Sequence, residues 1–198
     1  STQKKTKMKK LLMGLLLLLA VAGMRAQDTQ LKFSPKGEFK IVQFTDVHFQ
    51  YRNPASDIAL KRIAEVLDAE KPDLVVFTGD VVYSSPADTA MRTVLSCVSS
   101  RKIPFVVTFG NHDNEHGKTR AELYDVIRTM PYNIQPDRGE AESIDFVLPV
   151  KSADGKKNAA VLYCLDSHSY SRLEGVGGYD WLTFDQVEWY RAQSAALK

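Results

Sequence analysis

Cysteine is almost missing from this chain: Cys97, in a helical apolar stripe, and Cys164, in a strand-like run, are the only two. A metal site built on clustered thiolates is therefore excluded, and the pair is expected as buried thiols unless export lets them meet as a disulfide. Histidine is also scarce, with His48, His112, His116 and His168 the full set. After Asp113 there is no Gly-His or Gly-His-x-His segment. The chain has no internal repeat and no low-complexity linker, so about 170 residues beyond the leader read as one core. A basic surface is lacking too. The 26 basic and 24 acidic groups give +2, but six of the basic groups and none of the acidic ones lie in residues 1–26. That leaves 20 against 24, or −4, for the rest, and nothing there suggests a nucleic-acid partner.

What is present is concentrated at the ends of apolar runs. Phe39-Lys40-Ile41-Val42-Gln43-Phe44 leads to Asp46-Val47-His48. Leu74-Val75-Val76-Phe77 leads to Gly79-Asp80, and Pro104-Phe105-Val106-Val107-Thr108-Phe109 leads to Gly110-Asn111-His112-Asp113. These runs predict three buried strands, each ending in a ligand-type cluster. In extended chain, Asp46 and His48 would face the same side.

Between the runs, Asp57 to Glu70 and Ala87 to Ser99 carry apolar residues at helical spacing, the first with Ser56 or Asp57 as N-cap and Pro72 just past its end. Strand, helix, strand, helix, strand is the βαβ pattern, whose parallel strands place their C-terminal ends side by side, where ligands bind. Asp46, Asp80 and Asn111 are 34 and 31 positions apart, about one βαβ repeat. The clusters are expected to converge. Carboxylates, imidazole and a carboxamide oxygen suit borderline or hard cations such as Mn, Fe, Zn or Mg. One carboxylate can bridge two cations, and Asp80 is the candidate bridge.

Asp-x-His, Gly-Asp and Gly-Asn-His-Asp in this order resemble the opening motifs of calcineurin-like metallophosphoesterases. The purple acid phosphatase-like branch is the nearest flavour, since Leu165-Asp166-Ser167 and the stretch Tyr179-Asp180-Trp181-Leu182 with Gln186 and Trp189 are also similar to it. The resemblance runs from about Lys40 to Tyr190. It implies an αββα sandwich, here the first βαβαβ half plus the following strands and a helix, over residues 27–198 and C-terminally incomplete. It implies two divalent or trivalent metal ions, Mn, Fe or Zn, and hydrolysis of a small phosphate monoester or diester by a two-metal, bridging-hydroxide mechanism. Asp46 and His48 would hold the first metal, Asp80 would bridge, and Asn111 would hold the second. His112 would meet the phosphate or leaving group, with Asp113 orienting it. Family members add three later histidines in Gly-His and Gly-His-x-His segments. A shortened, non-catalytic relative that binds metal or phosphate is the competing expectation.

Several residues keep two readings. Tyr83 fits the Gly-Asp-x-x-Tyr spacing of an iron-binding tyrosine in true purple acid phosphatases, or is an aromatic packed at the rim. His116 reads as a solvated loop residue or a metal contact, and His168 as a rim residue or a substrate or metal contact. Asp166 and Asp180 read as structural or rim residues, and Glu174 to Gly178 as a surface turn or a loop near substrate. Lys151 to Lys157 predicts a hairpin turn between strands Ser143–Val150 and Asn158–Cys164, and Thr183 caps a final helix to Leu197. Lys4, Lys5, Lys7, Lys9 and Lys10 precede an apolar run from Leu11 to Ala22, with cleavage expected after Ala22 or Ala26. This is the order of a secretory signal peptide, and the run is shorter than the roughly 20 residues of a bilayer span. An exported protein without a stable membrane span is expected, the alternative being a short uncleaved anchor.

Overall fold

The computed structural model describes residues 29–139 and 144–197. The expected leader and the first residue of the strand expected from Ser143 lie outside the described residues. β1 (Ile41–Phe44), β2 (Leu74–Thr78) and β3 (Phe105–Thr108) form a parallel sheet in the order β1-β2-β3. α1 (Asp57–Glu70) joins the first two strands and α2 (Ala87–Ser99) the second and third. Both helices match the bounds expected from their apolar spacing. α3 (Arg120–Arg128) was not expected; β4 (Phe146–Lys151) and β5 (Asn158–Cys164) pair antiparallel, and α4 (Phe184–Ala196) follows.

Burial explains the sheet. Leu74, Val75, Phe77, Phe105, Val106 and Val107 are buried, as strands covered on both faces require. α2 puts Ala87, Ala90, Met91, Val94, Leu95 and Val98 into the same core. β1 departs from the expectation of a third buried strand: it is the sheet's edge, with Ile41 40% exposed. On the other side of the sheet the outer edge of β3 is occupied, since Phe105 donates to the carbonyl of Tyr132 and accepts from the N–H of Ile134. Buried Gln135 adds its side-chain oxygen to the N–H of Val107 at 3.0 Å.

The helix starts follow their side chains. Ser56 precedes α1 without capping it, because its hydroxyl accepts from the N–H of Gln50 instead. Thr119 and Glu122 form a reciprocal capping box on α3, and Thr183 and Gln186 do the same on α4. α4 begins where expected, but its apolar residues do not form a core face: Gln186 is its buried residue, while Phe184, Val187 and Tyr190 are exposed. Among the described residues no helix is long and apolar enough to cross a membrane.

Candidate metal centre

The three strands end on one side of the sheet, and two glycines let their loops meet. Gly79 has φ 99° and Gly110 lies directly against it: a Cβ on Gly79 would sit 2.8 Å from both the Cα and the N of Gly110. A Cβ on Gly110 would sit 2.1 Å from Oδ1 of Asp80. Neither position has room for a side chain, which gives the Gly-Asp and Gly-Asn pairs a physical reason. The loop after β1 joins this contact through backbone hydrogen bonds, Asp46 N–H to the Gly79 carbonyl and His48 N–H to the Asp80 carbonyl.

Asp46, His48 and Asp80 all have left-handed backbones, with φ of 53°, 47° and 50°. Such conformations are costly for residues with side chains and concentrate at functional sites. They also correct the extended-chain expectation for Asp46-Val47-His48, since the backbone turns at both ends of that tripeptide. Three of the side chains on these loops come together. His48, Asp80 and His112 offer ligand atoms that all lie within 4.8 Å of one another. Asp46 stands outside that group, exposed, with its carboxylate accepting from the Thr45 hydroxyl.

Each imidazole is oriented by an acceptor. Nδ1 of His48 lies 3.2 Å from the carbonyl oxygen of Asp46, and Nδ1 of His112 lies 2.8 Å from Oε2 of Glu115. A carbonyl or carboxylate can only accept, so both rings carry the proton on Nδ1 and leave Nε2 free. Donation of the other ring N–H in this way is what metal-binding histidines ordinarily show. Nε2 of His48 is 3.5 Å from Oδ2 of Asp80, whose Oδ1 accepts from the His112 backbone N–H at 2.9 Å. Two imidazoles and one largely buried carboxylate fit a borderline divalent cation.

Asp113, expected to orient His112, does something else. It is fully buried, and its two oxygens accept from the backbone N–H groups of Asp80, Val82 and Gly110 at 3.0, 3.0 and 2.8 Å. Burial pushes its carboxyl up to about 6 against the hydrogen bonds from the Gly110 and Val82 N–H groups. It ties the second loop to the third from beneath, and Glu115 holds the imidazole. That hydrogen bond to Glu115 raises the pKa of His112. Partial burial pushes the Glu115 carboxyl up, but hydrogen bonds from Tyr170 and His112 outweigh it and its pKa falls.

The surrounding residues take sides between their two readings. Tyr83 packs edge-on against His112, His116 and His48, with ring centroids 4.8, 5.1 and 6.3 Å apart. His116 is not solvated at Nε2, which is buried without a partner among the described residues. Asn111 donates from its amide to the Tyr170 hydroxyl at 2.7 Å. His168 lines a cleft of about 510 Å³ between Arg120 and α4, with Nε2 3.0 Å from the side-chain oxygen of Gln186. Asp166 is structural: it is buried and ion-paired with Arg120, whose guanidinium also donates to the carbonyls of Gly110 and Phe109. Asp180 lines a cavity of about 190 Å³ beside Asn111 and faces Arg172 at 3.6 Å. Glu174 to Gly178 is an exposed turn in which Gly175 and Gly178 have positive φ. Cys97 and Cys164 are free thiols, and burial pushes Cys164 up to about 12.

Sequence reasoning passed over Glu115, Tyr170 and Arg120. Glu115 had one available signal, its i,i+3 spacing from His112. Tyr170 contacts Asn111 from 59 positions away, and Arg120 is held against the Gly110 carbonyl by Asp166, 46 positions away.

Comparison with known proteins agrees with the geometry. The family model for calcineurin-like phosphoesterases matches residues 39–195. The chain is 34% identical, over 87% of its length, to the "Probable inactive purple acid phosphatase 29" of Arabidopsis thaliana. It is 32% identical, over 83% of its length, to "Phosphatase DCR2" of Saccharomyces cerevisiae. It spans 51% of the plant protein and 33% of the yeast one. The matched stretch contains every loop that forms the His48, Asp80 and His112 group, and the chain belongs to the calcineurin-like phosphoesterase family.

Proposed function

We propose that this chain carries the metal-binding portion of an exported phosphoesterase that hydrolyses small phosphate monoesters or diesters. The observation that supports it most is the convergence of His48, Asp80 and His112 on the contact between Gly79 and Gly110. Asp46, His48 and Asp80 would hold one cation, and Asp80 and Asn111 a second, with Mn, Fe or Zn suited to the donors. Bound there, such ions supply positive charge to the phosphoryl oxygens and acidify water. The chain's own residues do the rest. Asp113 keeps the second and third loops in register. His112, in the doubly protonated form that its hydrogen bond to Glu115 favours, can give its Nε2 proton to the departing oxygen. The Lys-rich start and the apolar run from Leu11 to Ala22 support export.

A second reading is favoured by a specific observation: the plant relative is named as an inactive phosphatase. In that reading the same centre binds metal or phosphate without turnover. The test is hydrolysis of p-nitrophenyl phosphate and bis-p-nitrophenyl phosphate, with added Mn²⁺ or Zn²⁺, by the protein isolated from its source and by Asp80→Ala. Turnover lost at least about 100-fold in Asp80→Ala, with unfolding unchanged, supports the esterase. Phosphate binding without turnover in the wild type selects the binding protein.

A further inference from the structure

Four side chains form a chain of hydrogen bonds across the centre. Asn111 Nδ2 lies 2.7 Å from the Tyr170 hydroxyl, that hydroxyl lies 2.7 Å from Oε1 of Glu115, and Oε2 of Glu115 lies 2.8 Å from Nδ1 of His112. We propose that Glu115 and Tyr170 are positioning residues that set which atoms Asn111 and His112 present to the metal centre. The inference rests on the reading of that centre as a metal site, and its logic is one of donors and acceptors.

A carboxylate accepts at both oxygens. Glu115 therefore takes a proton from each side. On one side it holds the His112 proton on Nδ1 and frees Nε2. On the other it takes the single proton of the Tyr170 hydroxyl, which leaves that oxygen able only to accept. What reaches it from Asn111 must be the NH₂ group, so the carboxamide oxygen, the atom a cation can use, is turned the other way. The polarity of the whole relay follows from Glu115 being an acceptor twice. Tyr170 comes from the segment after β5, and Ser169 beside it donates to the Asn111 backbone carbonyl at 3.0 Å. This later segment thus reaches the loop after β3 through polar groups.

Glu115→Gln tests the relay without changing its shape. A carboxamide accepts at one end and donates at the other, so one end of the relay must reverse. If the Gln oxygen stays on His112, its NH₂ faces Tyr170, the hydroxyl donates to Asn111 and the Asn111 amide turns over. If the Gln oxygen stays on Tyr170, its NH₂ faces His112 and the imidazole proton moves to Nε2. Nitrogen-15 NMR of the full chain reads both events without metal: the His112 tautomer from its ring nitrogens, and the Asn111 amide from its NH₂ contact with the Tyr170 ring. The relay predicts that one of the two reverses in Glu115→Gln. It further predicts that Tyr170→Phe, which removes one hydroxyl from a half-exposed ring, weakens calorimetric Zn²⁺ binding about 10-fold with unfolding unchanged. A Glu115→Gln protein with both the tautomer and the Asn111 contact of the wild type would overturn the proposal. Failure of the wild type to bind Zn²⁺ would instead count against the metal reading, with the NMR comparison still deciding the relay.

Discussion

The half of the molecule around the parallel sheet and the half that follows Cys164 are built on different terms. In the first, β2, β3 and α2 are buried through continuous apolar runs, and the loops at the strand ends are locked by glycine contacts and by buried Asp113. In the second, Tyr179 is 70% exposed, Phe184 is 89% exposed, and α4 buries Gln186 rather than an apolar stripe. What joins the halves near the site is polar: Arg120 with Asp166, Tyr170 with Asn111 and Glu115, and Gln186 with Asp145. The first half shapes the centre through packing and the second adjusts it through hydrogen bonds.

The sharpest way to break that contrast lies under the loops. Asp113→Ala leaves three buried or half-buried N–H groups without their acceptor, and an expected loss of about 3–5 kcal/mol, read by urea unfolding, would show that the locked loops are part of the core. Asp166→Ala strands the buried guanidinium of Arg120 and is expected to cost about 3 kcal/mol. Hydrogen exchange should then show the segment from Asp166 to Tyr170 opening while β2 and β3 stay protected. Leu95→Ala empties part of the α2 core at an expected cost of about 2–5 kcal/mol in urea unfolding. Thr183→Ala removes a cap from the exposed helix and should cost only about 1 kcal/mol in the same measurement. Phe184→Ala, on a side chain already in water, should change stability by less than about 0.5 kcal/mol, and a larger loss would mean that the second half is packed more like the first.

The first half was the more legible of the two. Apolar runs and helical spacing are local signals, so α1, α2 and the three strand ends could be read directly, as could the hairpin and the cap at Thr183. α3 carried a signal that was passed over, the Thr119-Arg120-Ala121-Glu122 capping box ahead of Leu123, Tyr124 and Ile127. How Asp46 and Asp113 are placed depends on backbone turned to positive φ and on the direction of one buried carboxylate, which residue type does not encode. Arg120 with Asp166 and Tyr170 with Asn111 are separated by 46 and 59 positions, and no periodic pattern points from one partner to the other.

The central claim is that the loops carrying His48, Asp80 and His112 form a cation site that depends on the close approach of Gly79 and Gly110. Titrating the wild type, Asp80→Ala and Gly110→Ala with Zn²⁺ in a calorimeter tests it most directly. Saturable binding in the wild type, weakened at least about 10-fold in both variants while they remain folded, is the predicted result. Equal binding by all three folded proteins would contradict it.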